Sequence, residues 1–286
     1  MAALPAPAYR RDFDAQPGLV HTLAPGLARV TAPNAGPYTF TGTNSYLVGH
    51  QSLMLVDPGP DDEQHLAALL AAIDGRPLAA IVLTHTHKDH SGLARRLRAL
   101  TGAPLVFKDT QAGRTQGLVP DIALVQGQML PVDGLGIDPI FTPGHAPDHF
   151  VLGMADTPFI LTGDHVMGWS SSLLAPDDTA LSDYLASIDR LLATSYQHYL
   201  PGHGGPIPQG PDFALALKHH RLARNDQILS LIALGPITEA TILDRIYPDL
   251  VGDLRRAAAL TLASHIRHLL ATGAITETEN GVLHLS

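Results

Sequence analysis

The 286-residue sequence contains no cysteine, which excludes disulfides, a thiol nucleophile and thiolate metal ligands. Any bound metal must be held by nitrogen and oxygen, so His, Asp and Glu are the available donors. Glutamate is scarce as well: of 27 acidic residues, 23 are Asp and 4 are Glu. Beside them stand 16 His, so short-armed ligand types are abundant. Long apolar runs are missing. The stretch Leu66 to Ile73 falls well short of the ~20 residues a membrane span needs, and no basic-then-apolar leader opens the chain. A cytoplasmic protein with no membrane partner and no evident obligate protein partner is the expectation.

A broad basic face is lacking too. Net charge is -9, with 11 basic and 19 acidic residues in 1–210 and 7 and 8 in 211–286. Non-specific nucleic-acid binding over a wide surface is therefore not expected, and bound cations would offset part of the negative charge. What is present is a 45% hydrophobic composition, enough for a full-sized core and a small second domain.

Residues 1–18, rich in Ala and Pro, read as a loosely held arm. From Gly26 to Val56, short apolar segments alternate with turn clusters, as in a β-meander. Asp61 suits a helix cap, with Leu66, Leu69, Leu70 and Ile73 on one stripe, and strand Leu78 to Leu83 precedes a helix from Ser91 to Leu100. Strands follow at 104–107, 137–142, 150–154 and 159–162, then a helix over 181–192 and a short apolar segment at Tyr199-Leu200. Strands that first pair and then alternate with helices predict an α/β fold with two stacked sheets and helices outside. Pro208, Gly210 and Pro211 mark the end of this unit, 19–210. Over 211–286, three helical patterns and a hairpin turning at Asn280-Gly281 predict a small winged-helix domain.

The most informative stretch is Leu83-Thr84-His85-Thr86-His87-Lys88-Asp89-His90, where a strand ends and a helix begins. Four potential ligands within six residues are more than one tetrahedral ion uses comfortably, so the spacing suits two metals. Three further donors sit in glycine-containing turns after apolar strands: Pro143-Gly144-His145, Gly163-Asp164-His165 and Pro201-Gly202-His203-Gly204. Such turns let distant segments converge at one edge of a sandwich.

In this order the motifs resemble the metallo-β-lactamase superfamily over about residues 20–208. Leu55-Val56-Asp57-Pro58-Gly59 and Thr41 to Gly49 add a likeness to the β-lactamase-like protein 2 branch, whose endoribonuclease-like hydrolases carry a C-terminal winged helix. The resemblance implies an αββα sandwich with two divalent ions, most readily zinc with Mn and Fe as alternatives. It implies one ion on His85, His87 and His145, a second on Asp89, His90 and His203, and Asp164 between them. Two such ions lower the pKa of a water towards ~7 and polarise a carbonyl or phosphoryl oxygen. Asp89 is then both ligand and orienter of the attacking water, and the expected catalytic residue. His145 stands where cysteine-bearing true lactamases place Cys, which points away from antibiotic hydrolysis.

Five more residues are candidates around the site. Asp57 suits an acceptor for the free ring N–H of one early histidine, or an ordinary Asp-Pro-Gly turn. Asp148 and His149 match the nearer branch, and His149 either lies near the site or begins a strand. His165 is a proton donor to a leaving group or a buried structural residue. Trp169, the only tryptophan, belongs to a substrate-facing loop or anchors the core. The substrates this predicts are a small ester, thioester or lactone, or single-stranded RNA. Arg256 and Arg267 return to one side of the last helix, suiting phosphate contacts or a solvated face. Two other readings differ in class: an iron-dependent oxidoreductase on the same scaffold, and a metal-stabilised regulator that binds nucleic acid.

Overall fold

The computed structural model describes residues 7–286. Strands β1 (Val20–Ala24), β2 (Leu27–Thr31), β3 (Asn44–Gly49) and β4 (Leu53–Val56) form an antiparallel meander. Helix α1 (Glu63–Ile73) crosses to β5 (Leu78–Val82), and short α2 (Lys88–Ser91) with α3 (Ala94–Thr101) crosses to β6 (Leu105–Phe107). Helix α4 (Gln111–Thr115) and β7 (Ile122–Ala123) complete a seven-stranded sheet in sequential order, parallel from β4 onward. The second sheet contains β8 (Leu130–Val132), β9 (Leu135–Phe141), β10 (Phe150–Met154), β11 (Phe159–Gly163) and, after α5 (Ala180–Leu192), β12 (His198–Pro201), parallel to β11.

Alternation along the strands explains the layering. In β4, Leu53 and Leu55 face α1 and α3, while Met54 and Val56 face the other sheet. Ile81 and Leu83 against Ala80 and Val82 repeat the pattern. In β10, Phe150 and Leu152 enter the core between the sheets and Val151 packs against the α5 side. A period of two thus assigns each strand to two cores and fixes the αββα order.

The residues after β12 form α6 (Gly210–Ala233), β13 (Ile237–Thr238), α7 (Glu239–Ile246), α8 (Gly252–Ala271), β14 (Ile275–Glu277) and β15 (Val282–Leu285). The hairpin is where sequence places it, and β13 adds a third strand that a two-residue segment does not announce. A separate apolar cluster, including Ile228, Ile242, Leu262 and Leu283, lies beneath these elements. Helix α6 also packs on α5 through Ala214 and Leu217.

Local differences have physical causes. Asp62, not Asp61, caps α1 by accepting the His65 N–H at 2.8 Å, and Asp61 instead pairs with Arg96. The sheet begins one strand before Gly26, because Val20–Ala24 pairs with β2 although its own residues are mostly outside the core. In the expected loose arm, residues 1–6 lie outside the described residues. Of the remainder, Arg10 N–H donates to Gly168 O at 2.9 Å, and Phe13 lies under the Arg29 guanidinium.

Candidate metal centre

The parallel strands β4, β5, β11 and β12 all end at one edge of the sandwich, and the β9–β10 turn returns at that edge. Asp57 follows β4, His85 and His87 follow β5, and Asp89 and His90 open α2. His145 lies in the β9–β10 turn, Asp164 follows β11 and His203 follows β12. Backbone ties join the sheets at this edge: Phe150 N–H donates to Thr84 O at 2.8 Å and Asn44 N–H to Gly202 O at 2.7 Å. Asn44 Nδ2 also donates to Pro201 O and Gly204 O, and Tyr46 hydroxyl to Pro201 O, so β3 secures the turn that presents His203.

The seven residues singled out from sequence come together. His87 Nδ1 stands 3.0 Å from both His85 Nε2 and His145 Nε2. His203 Nε2 stands 3.3 Å from His90 Nε2 and 3.2 Å from Asp89 Oδ2. Asp164 lies between these groups: its Oδ2 is 3.4 Å from His145 Nε2, and its Oδ1 is 3.4 Å from both His90 Nε2 and His203 Nε2. Only His87, exposed, and Asp89, with 31% of its side chain accessible, open the cluster to solvent.

Outer partners set which ring nitrogen faces inward. His90 Nδ1–H donates to Asp57 Oδ2 at 2.9 Å, and His145 Nδ1–H to Leu173 O at 2.8 Å. His85 Nδ1 is 3.0 Å from the Thr84 hydroxyl, and His203 Nδ1 is 3.3 Å from Gly42 O. Each bond commits one nitrogen outward and leaves the other lone pair for the cluster. Burial, reinforced by the neighbouring imidazoles, holds His85 well below the usual histidine range, and burial brings His145 down to about 4. For Asp164 burial acts upward, but His203 and His90 outweigh it and keep the carboxyl ionised.

The arrangement fits divalent cations. Three imidazole nitrogens meet at 3.0 Å contacts, and Asp164 Oδ1 is buried with no hydrogen-bond partner. Burying such an acceptor unsatisfied is costly, and a cation among inward lone pairs removes that cost. His85, His87 and His145 form one donor group and Asp89, His90 and His203 another, while His85, His90 and Asp164 form a third across them.

The remaining candidates surround this cluster. Asp57 is the acceptor the sequence allowed for, and it also receives Thr84 N–H at 2.8 Å and Thr84 hydroxyl at 2.7 Å. Asp148 Oδ2 accepts the N–H and hydroxyl of Thr86 at 3.0 and 2.6 Å, fixing the residue between His85 and His87. His149 Nε2 accepts the Asp164 N–H at 3.1 Å while Nδ1 faces the Thr142 hydroxyl, so it holds the backbone of the central carboxylate. His165 is placed differently from a proton donor: fully buried, its ring packs 4.8 Å from Tyr184 of α5, and neither ring nitrogen has a hydrogen-bond partner. Trp169 stacks on Phe40 with centroids 5.0 Å apart and borders a cavity, combining anchor and wall. Sequence reasoning missed Thr84, Thr86 and the Leu173 carbonyl. The alternation Thr-His-Thr-His was the available signal for the two threonines, and none marks a carbonyl 28 residues from its histidine.

A profile of the Metallo-beta-lactamase superfamily matches residues 38–203. A β-lactamase-like protein 2 homolog from Drosophila melanogaster is 28% identical over 273 residues, covering 89% of this chain and 91% of that protein. An atrochrysone carboxyl ACP thioesterase from Aspergillus fumigatus is 28% identical over 254 residues, covering 82% and 78%. The crystal structure of a β-lactamase domain protein from Burkholderia ambifaria shares the fold with a TM-score of 0.84 over 96% of each chain, at 20% identity. With a profile spanning more than half its length and the donor clusters in place, the chain belongs to the metallo-beta-lactamase superfamily, in the β-lactamase-like protein 2 branch, and is a metallo-hydrolase whose fold implies divalent metal.

Proposed function

We propose that this hydrolase works with two divalent cations, zinc in the first instance, on a small thioester, ester or lactone. The observation that carries the reading is Asp164, placed between a three-histidine group and an Asp–His–His group, with a different oxygen directed at each. When bound, the cations supply Lewis acidity and lower the pKa of water. Asp89 Oδ2 lies against His203, and its partial exposure leaves the other oxygen free to accept a proton from the attacking water. His87, on the same open side, marks where substrate approaches.

Small-molecule substrates are supported by the neighbouring cavity of about 420 Å³, bordered by Met167, Trp169 and Leu173, which is the size of a ligand pocket. One relative is named as a thioesterase. The two arginines that sequence offered for phosphate contacts are already engaged, Arg256 with Asp253 and Arg267 with Asp178. Single-stranded RNA is the second reading, favoured by the helix–strand–helix–helix–hairpin order of residues 210–286, which matches a winged helix. These residues would then act as a substrate-side element.

The discriminating assay offers metal-analysed protein and its Asp164→Asn variant a panel of acyl thioesters, lactones and an end-labelled single-stranded RNA. Thioester or lactone turnover by the wild type, reduced at least about a hundredfold in the variant, is expected. RNA cleavage without turnover of the small esters overturns the substrate class, and iron with redox activity in place of hydrolysis overturns the reaction.

A further inference from the structure

The cavity beside the metal centre lies between residues 9–11, the loop after β11, and helices α6 and α8. It meets the histidine cluster through Leu173, which borders the cavity while its carbonyl receives His145 Nδ1–H. Its ionisable lining holds Arg11, Arg221 and Arg224 with His220, His265 and three tyrosines, and no Asp or Glu. In a chain of net charge -9 this runs against composition.

Arg221 is only 2% exposed. Its guanidinium donates to Ser172 O and lies 5.4 Å from the Tyr184 ring centroid, but its Nε is buried without an acceptor. The Arg224 guanidinium is fixed 4.7 Å over Tyr247. Among the described residues the Lys and Arg salt bridges use other side chains, leaving Arg11, Arg221 and Arg224 without a carboxylate partner. Removing an unpaired cation from water is costly unless an anion meets it. Two further buried polar atoms of the lining, Trp169 Nε1 and His265 Nε2, also lack partners. The same lining includes the apolar side chains of Trp169, Met167 and Leu254.

We propose that this cavity is a recognition site for an anionic group, phosphate or carboxylate, held by Arg221 and Arg224, on a body that lies against Trp169 and Tyr247. Paired N–H donors in a fixed fork suit either oxyanion, and the stacked Arg224 is oriented before the ligand arrives. That the ligand is the substrate rests on the hydrolase reading above, whereas the site itself does not.

Trp169 is the only tryptophan and borders the cavity, so its fluorescence reports occupancy without any turnover. Metal-loaded protein is titrated with benzyl phosphate, phenylacetate and benzyl alcohol. A saturable change with at least one of the anions, and binding of the alcohol at least about tenfold weaker, is expected. The anion that saturates at lower concentration identifies the head group. The same anion should bind at least about tenfold more weakly to Arg224→Gln and to Arg221→Gln. If Arg221→Gln fails to fold, the partly exposed Arg224 carries the comparison. No response to either anion overturns the proposal, as does equal binding of the alcohol. An anion response undiminished in Arg224→Gln places the anion on the cations and overturns it too. Titration that succeeds where no thioester or lactone is hydrolysed retains the site and removes only the substrate reading. Where hydrolysis occurs, Arg224→Gln should raise KM several-fold more for an anion-bearing thioester than for a neutral one.

Discussion

Asp89 and Asp57 separate two jobs that a carboxylate performs at such a centre. Asp89 has a partly exposed side chain with one oxygen committed to His203. Asp89→Asn keeps a neutral oxygen and the same shape, so the fold should persist while turnover falls at least about a hundredfold. Undiminished kcat would remove Asp89 from proton handling. Asp57 never faces the inward nitrogens, but accepts from His90 and twice from Thr84. Asp57→Ala frees the His90 ring to rotate, and metal affinity should fall about 10–100-fold, measured by competition with a chromophoric chelator. At this scale the sequence was most informative, because His85 to His90 are adjacent in the chain and their spacing alone crowds donors together. Leu173 was invisible to it, since a backbone carbonyl has no residue type.

Turns decide the geometry that helices and strands only approximate. Gly202 carries the clearest case: a Cβ there would lie 2.7 Å from Asp164 Oδ1 and 2.7 Å from His90 Cε1. Gly163 has φ of +48°, and its Cβ would meet His149 Nε2 at 2.6 Å. Gly202→Ala should therefore displace Asp164 or His90 and lower metal content per chain below that of the wild type by elemental analysis, with circular dichroism unchanged. Full occupancy in that variant would show that the turn yields. The Pro-Gly-His and Gly-Asp sequences announced these turns, and amphipathic stripes announced the main helices. Element ends were less legible. Asp61 and Asp62 are equal as caps in composition, and only the pairing of Asp61 with Arg96 separates them. Strands β1 and β7 were missed because their residues stay largely exposed and gain order from pairing rather than from burial.

The whole molecule joins a C-terminal region that buries a histidine to a site that spans two sheets. His265 of α8 is 1% exposed, bonded through Nδ1 to Asn225 of α6, and brought down to about 2 by burial and by Arg221 and Arg224, with His220 and His268 adding to it. Its folded value lies below the unfolded ~6.5, so only the unfolded chain takes up the proton between those limits. The contribution of His265 should be level above pH 7 and fall below about 6.5, by ~1.4 kcal/mol per pH unit. The thermal midpoint of His265→Gln should decline less steeply between pH 6.5 and 5 than that of the wild type, and parallel curves would show that His265 is not the source. Chelation should lower the midpoint of the wild type as well, since cations that bind only the folded form stabilise it by mass action. The division of donors between sheets has a further consequence for biosynthesis. His85, His87, Asp89 and His90 come from the first half, and His145, Asp164 and His203 from the second, so neither donor group is complete within either half. A nascent chain gathers its last ligand only after residue 203 has left the ribosome and β12 has joined its sheet. Capture of divalent metal by the full donor set would thus come late in assembly, and a chain stalled before that strand would be a poor competitor for it.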